Sequence, residues 1–310
     1  GGPPFAEVST LARGNVFFRR PARGKNFLIF FRRLRAAELC EAFVVRDSDT
    51  SRNLTARKIL RVVIPLAFWL GVWQLAAVWV DTVYQPGRGY LLLPAPTLVA
   101  GRLVTLMGEP AFWQAAAVSL GRIFGGFALG AVAGTAIAVL TAALPWADWL
   151  LGPAVKVIRA IPVASFIVLV LLWAPTTSSV PAIVSALMVL PVVWGNVGRG
   201  IGEPDPLLLE AARAYRFGRG KTLRLVYVPS VLPYFASGCA TALGLAWKAG
   251  VAAEVLCQPR LAIGTRLYRA KITLETPDVF AWTVVVIALS FLLEVALGAA
   301  LRWLGRGRKA

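Results

Sequence analysis

The sequence predicts an all-α integral-membrane protein with about six transmembrane helices. Hydrophobic residues make up 58% of its 310 positions and charged residues only 15%, where a soluble domain carries roughly 25% charged residues. Mean hydropathy is +0.69. Several windows reach the ~20 apolar residues that a helix needs to cross a bilayer, and no alternating ten-residue pattern of a membrane β-barrel interrupts them. Basic residues gather beside the windows rather than along one face of a soluble fold, which argues against a nucleic-acid partner despite a net charge of +18.

In chain order, the spans are expected at "ILRVVIPLAFWLGVWQLAAVWV" (59–80), "VSLGRIFGGFALGAVAGTAIAVLTAAL" (118–144) and "AVKVIRAIPVASFIVLVLLWA" (154–174), then "VPAIVSALMVLPVVWGNVG" (180–198), "VLPYFASGCATALGLAWKAGVAAEVL" (231–256) and "FAWTVVVIALSFLLEVALGAALRWL" (280–304). Pro65, Pro162 and Pro191 read as kinks, which membrane helices tolerate. Residues 1–57 form a basic N-terminal extension, either a membrane-surface segment drawn to anionic lipid, a poorly ordered stretch, or an upstream stretch that is not part of the working protein. Residues 306–310 are a basic tail. Thirteen of the Lys and Arg residues fall in 1–61, six in 199–224 and four in the last ten positions. By the positive-inside rule both termini and the 199–224 loop are cytoplasmic. The segment 258–279, with Arg260, Arg266, Arg269 and Lys271, is basic yet has to lie outside. It reads as an outer loop with a short helix, suited either to contact with another protein or to the membrane interface.

The "GKT" at Gly220–Thr222 resembles the end of a phosphate-binding loop. That motif needs a glycine five residues earlier, in a tight turn between a strand and a helix; the position holds Tyr215, and the preceding stretch reads as a capped helix. Asp205 is its N-cap, Pro206 its first residue and Gly218 its expected end. A nucleotide site is therefore not expected here. An apolar loop helix rimmed by arginines, "PLLLEAARAYRFG", instead suits docking into a groove on a soluble partner, the alternative being a helix folded back on its own bundle.

Cys40, Cys239 and Cys257 give neither a metal spacing nor an even disulfide set. Histidine is absent, and carboxylates are scattered singly, so no catalytic, cofactor or metal site is expected in this chain. Gly126, Gly130 and Gly134 recur at four-residue spacing, as do Gly121 and Gly125, which suits either close packing inside the bundle or a homodimer seam. Lys248 and Glu254 share one apolar span. Six residues turn a helix by about 600°, so the two lie on different faces. Intramembrane charges face a wet cavity or find partners: Lys248 and Glu254 are the candidates for the translocation path, the alternative for Lys248 being a buried or snorkelling charge.

Glu210-Ala211-Ala212, with "VYVPSVLP" following, resembles the EAA loop of the permease subunits of binding-protein-dependent ABC importers. "LLLPAPTLV" (91–99), "SLGRIFGGFALGAVAGTAIAVL" (119–140), "IRAIPVASFIVLVLLW" (158–173) and "ALGLAWKAGVAAEVL" (242–256) are similar to the nitrate/sulfonate/taurine branch. The resemblance spans roughly residues 59–304. It implies a type I importer permease bundle over 58–305, with a cytoplasmic coupling loop at about 199–229. It further implies that Asp205, Glu210, Ala211, Ala212, Arg216 and Gly218 belong to that loop and that Glu254 matches the family's Ala-Ala-Glu. Implied partners are a dimer of ATPase subunits holding ATP and Mg, a second permease copy, an extracytoplasmic binding protein and membrane lipid, in the inner membrane of a prokaryote. Two positions depart from the pattern. The usual loop glycine falls at Arg216, so the turn is either shifted to Gly218 and Gly220 or meets a different groove. The usual "WFG" after the third span is "WAPTTSS". The implied solute is a small anion such as nitrate, a sulfonate or a taurine-like compound, or a vitamin-precursor-like molecule. The reading from another class is a self-sufficient secondary transporter or channel using Lys248 and Glu254, but no internal inverted repeat supports it.

Overall fold

The computed structural model describes residues 63–306, with side chains to Arg302. The extension expected over 1–57 and the tail from 307 lie outside the described residues. Two units are distinguished, residues 1–69 and 70–310; within the first, residues 63–69 are a helical stretch with exposed apolar side chains.

All described regular structure is helical. Helix α1 is Val63–Tyr84, ending in a π turn from Val80. It is followed by α2 (Pro96–Met107), α3 (Pro110–Ala143), α4 (Pro145–Ala160), α5 (Val163–Trp173), α6 (Val180–Gly202) and α7 (Pro206–Ala214). Helix α8 runs over Arg219–Cys257, and α9 (Ile263–Ile272) and α10 (Thr276–Arg306) close the chain. Proline opens α2, α3, α4, α6 and α7 in the first turn, where its missing N–H costs nothing and its φ is already helical.

Helices α1, α3, α6, α8 and α10 are each long and apolar enough to cross a membrane. The third expected span is different. Residues 154–174 are not one helix: α4 and α5 meet at a bend of 113°, with Ile161 and Pro162 both extended. Pro162 disfavours helical backbone at the residue before it, so the chain turns there. The eleven residues of α5 rise only ~16 Å, about half of a ~30 Å hydrocarbon core. Pro191, by contrast, sits inside an unbroken α6.

The core is built around α6, which packs against α3 on one side and α8 on the other. Val189, Val193 and Val197 of α6 are buried with Ile123 and Phe127 of α3 and Leu243 and Trp247 of α8. Gly126, Gly130 and Gly134 are what let α3 approach. A Cβ on Gly130 would stand 2.3 Å from the Ala186 carbonyl oxygen, and one on Gly134 2.7 Å from that of Leu190. This glycine row packs within the bundle. Gly121 and Gly125 have no neighbour within 4 Å of such a Cβ and face outward.

At the end of the bundle away from α7, Arg102 of α2 donates two hydrogen bonds to Asp278 of α10, at 2.6 and 2.7 Å. Those bonds raise the Arg102 guanidinium pKa above its ordinary value. The paired planar geometry fixes α2 against the start of α10.

Candidate functional site

The sequence points to two regions, the loop around α7 and the charged positions of α8. In the loop, Asp205 caps α7: its Oδ1 accepts the Leu207 N–H at 2.9 Å, with Pro206 first in the helix. The end of the helix differs from the expectation. Residue Gly218 does not terminate it; α7 stops at Ala214 and the left-handed residue is Arg216, at φ 49°. The Phe217 N–H donates to the Ala212 carbonyl at 2.8 Å and the Arg216 N–H to that of Arg213 at 3.0 Å. That pair of bonds is the Schellman closure, in which glycine is the usual left-handed residue. The turn is therefore not displaced toward Gly218 and Gly220. Gly218 is extended and begins α8.

The surface of α7 is apolar and open. Leu207 is 72% exposed and Tyr215 77%, while Ala212 is 4% exposed. Glu210, Ala211 and Arg213 are exposed as well. Ala212 is the foot of the helix, which packs on the π turn Leu223–Tyr227 at the start of α8. That π turn stands just before Pro229, whose missing N–H and bulky ring disturb the ordinary helical ladder at the preceding turn. The "GKT" lies in the first turn of α8. Lys221 Nζ sits 4.3 Å from the centre of the Phe217 ring, and Thr222 Oγ1 donates to the Gly218 carbonyl at 3.2 Å. Lys221 and Thr222 are thus engaged locally, and among the described residues no strand precedes them.

In α8, Lys248 is exposed and Glu254 is completely buried, on different faces as their spacing requires. Glu254 Oε2 accepts from Ser119 Oγ of α3 at 2.8 Å and from the Gly264 N–H of α9 at 3.1 Å. Ser119 Oγ accepts in turn from the Ile263 N–H at 3.0 Å. The carboxylate and hydroxyl together cap the start of α9 from across the fold, satisfying two amides that have no partner within the helix. A Cβ on Gly264 would stand 2.5 Å from that of Glu254, so only glycine allows this approach. Glu254 has an anchoring position, not a lining one. The expected outer loop thus contains a docked helix, flanked by left-handed Leu261 and Leu274.

Lys248 belongs to an open face of α8. Ser237, Thr241 and Lys248 are exposed and Gly244 half-buried, at intervals of three and four residues that place them on one side of the helix. Beside Gly244 lies Glu294 of α10, its Oε1 3.9 Å from where a Cβ would be. Ser119, Ser237, Thr241 and Glu294 were not singled out from sequence. A lone carboxylate inside an apolar span was a legible signal for Glu294; the partnership of Ser119 with Glu254 had none.

A bundle of helices long and apolar enough to cross a membrane, with an open loop helix and charges within its spans, defines an integral-membrane protein. Residues 126–309 match the family described as binding-protein-dependent transport system inner membrane component. The chain belongs to this family, the multi-pass membrane permeases of ABC importers. It is 27% identical to the taurine transport system permease protein of Escherichia coli (strain K12) over 68% of this chain and 78% of that one. It is 30% identical to the aliphatic sulfonates transport permease protein, also of E. coli K12 and there marked as putative, over 71% and 81%. With the riboflavin transport system permease protein of Chloroflexus aurantiacus it shares 27% identity over 85% and 96%. A crystal structure of an amino acid ABC transporter aligns with a TM-score of 0.51 at 17% identity, covering 66% of this chain and 97% of that one, a likeness of fold. Membership sets aside the self-sufficient carrier.

Proposed function

We propose that this permease forms the solute path of an ATP-driven importer and receives the power stroke through α7. The exposed apolar surface of α7, standing on the single buried foot of Ala212, carries the reading: such a surface on a loop fits a groove of a partner. Residues 199–229 form the coupling loop on the cytoplasmic side, with both termini on that side. ATP and Mg are held by two copies of a separate ATPase subunit. Glu210 offers the helix's one acidic group to a basic partner residue, and the surrounding arginines set orientation. A second copy of this chain completes the membrane assembly, which sits among lipid and takes solute from a binding protein outside. The exposed face Ser237–Thr241–Lys248 lines the path, because an unpaired charge within a span is tolerated where water or solute reaches it. Glu254 supports the path from behind, by holding α9 in place.

The relatives' names support a sulfonate or taurine-like compound or a vitamin-precursor-like molecule, nitrate is carried from the sequence resemblance as a further small anion, and Lys248 suits an anionic group. The decisive experiment introduces Ala211→Glu into α7. The expected result is full membrane insertion, with the ATPase no longer copurifying or hydrolysing ATP without response to the loaded binding protein. Lys221→Ala should leave copurification near the wild-type level, and purified permease alone should bind no ATP. Binding of ATP by the permease alone, lost with Lys221→Ala, would overturn the coupling reading.

A further inference from the structure

Several charges within the spans of this protein are tied down. Glu254 is bonded to Ser119 and Gly264, Arg122 donates to the Arg260 carbonyl, and Arg199 and Arg302 donate to carbonyls of their own helices. Like Asp148, Lys156 and Arg159 of α4, Lys248 and Glu294 are not, but these two lie well inside the unbroken spans α8 and α10. Both are exposed, and among the described residues neither makes a side-chain hydrogen bond or ion pair.

Their placement is not accidental to the packing. Trp247 Nε1 donates to the Val286 carbonyl at 3.1 Å, which pins α8 to α10 and fixes the antiparallel register. From the end shared by Cys257 and Thr276, Lys248 lies nine residues down α8 and Glu294 eighteen down α10. These are depths of ~14 Å and ~27 Å at 1.5 Å per residue. Helical side chains lean toward the N-terminus of their own helix. Because the helices run oppositely, Lys248 leans down and Glu294 leans up. The Glu294 carboxylate already reaches Gly244, one turn from Lys248 on the same face. An ammonium and a carboxylate thus share one open side of the α8–α10 pair, their backbones about 13 Å apart in depth and their side chains leaning toward each other.

We propose that Glu294 is a specificity-determining residue of the solute path, and that with Lys248 it selects a small zwitterion: Lys248 receives the acid group and Glu294 the ammonium group of the solute. This rests on the reading of the α8 face as the path. An unpaired carboxylate repels a simple anion, so its presence beside Lys248 favours a solute that carries both charges.

The test uses the complete importer, with its ATPase and binding protein, in proteoliposomes. Uptake is measured with 2-aminoethanesulfonate and with ethanesulfonate, the same acid without the ammonium group, each normalised to its measured affinity for the binding protein alone. Glu294→Gln should lower uptake of the zwitterion by about tenfold or more, the loss expected for one charged hydrogen bond, and leave ethanesulfonate unchanged or raised. Lys248→Met should lower both. Glu294→Asp, which keeps the charge, should retain the preference, and ATPase copurification shows that each variant has folded. Equal effects of Glu294→Gln on the two solutes overturn the proposal, as does an active importer that carries neither. Labelling of Ser237→Cys and Thr241→Cys by a membrane-impermeant thiol reagent separates the two ideas. Without labelling the path reading itself fails; labelling with unaltered selectivity removes only the role of Glu294.

Discussion

Arg216 takes a left-handed backbone that costs a side-chain-bearing residue about 1–2 kcal/mol, yet it closes α7 with both bonds of a glycine-type cap. Replacing it with glycine should stabilise the loop by about 1 kcal/mol, seen as slower hydrogen exchange at the Phe217 amide; unchanged or faster exchange would show the turn to be unstrained. Glu254 poses the opposite case, since it holds two donors that have nowhere else to go. Glu254→Leu leaves the Gly264 amide and the Ser119 hydroxyl unmatched in a buried site, at about 1–3 kcal/mol for each group. The thermal midpoint of the purified permease should fall clearly. Glu254→Gln keeps an acceptor oxygen and should fall less; equal losses for the two would argue against the cap.

At the level of elements, the contact between α3 and α6 depends on the absence of side chains along one row. Gly130→Ala places a methyl against the Ala186 backbone, and because backbone cannot step aside as a side-chain tip can, the helices must separate, at about 1–3 kcal/mol. Gly125→Ala, on the open side of the same helix, is the control and should leave the thermal midpoint within error. Equal effects of the two would mean that the row is not a packing device. The break between α4 and α5 is the other element-level feature. Composition made residues 154–174 look like one span because hydropathy sums side chains and does not see backbone direction. Pro162 was legible as a kink, but the 113° that it became depends on where α5 finds its partners, α6 and α8.

Across the whole molecule, the proposed topology puts the α7 loop and the α9 segment on opposite sides of the membrane. Gly218→Cys and Lys271→Cys, each in a Cys40→Ser background, report on it directly. Cys239 and Cys257 are buried and should stay silent to an impermeant thiol reagent. In right-side-out vesicles Lys271→Cys should label and Gly218→Cys should label only after permeabilisation. Labelling of both from one side would reject the arrangement, and would return the basic 258–279 segment to the side that the charge rule prefers.

The chain's order alone determined the fold class, the long spans, the cap at Asp205 and the loop motif. Each of these is written locally, in hydropathy over a window, in residues that match a helix end, or in a short ordered pattern. Tertiary structure decided that Lys248 faces outward while Glu254 is sealed inside, and that Ser119 and the start of α9 meet at that carboxylate. It also decided that Glu294 stands beside the Lys248 face. Such pairings join residues up to 144 positions apart, and they follow from helix register and close approach, which no single window of sequence contains.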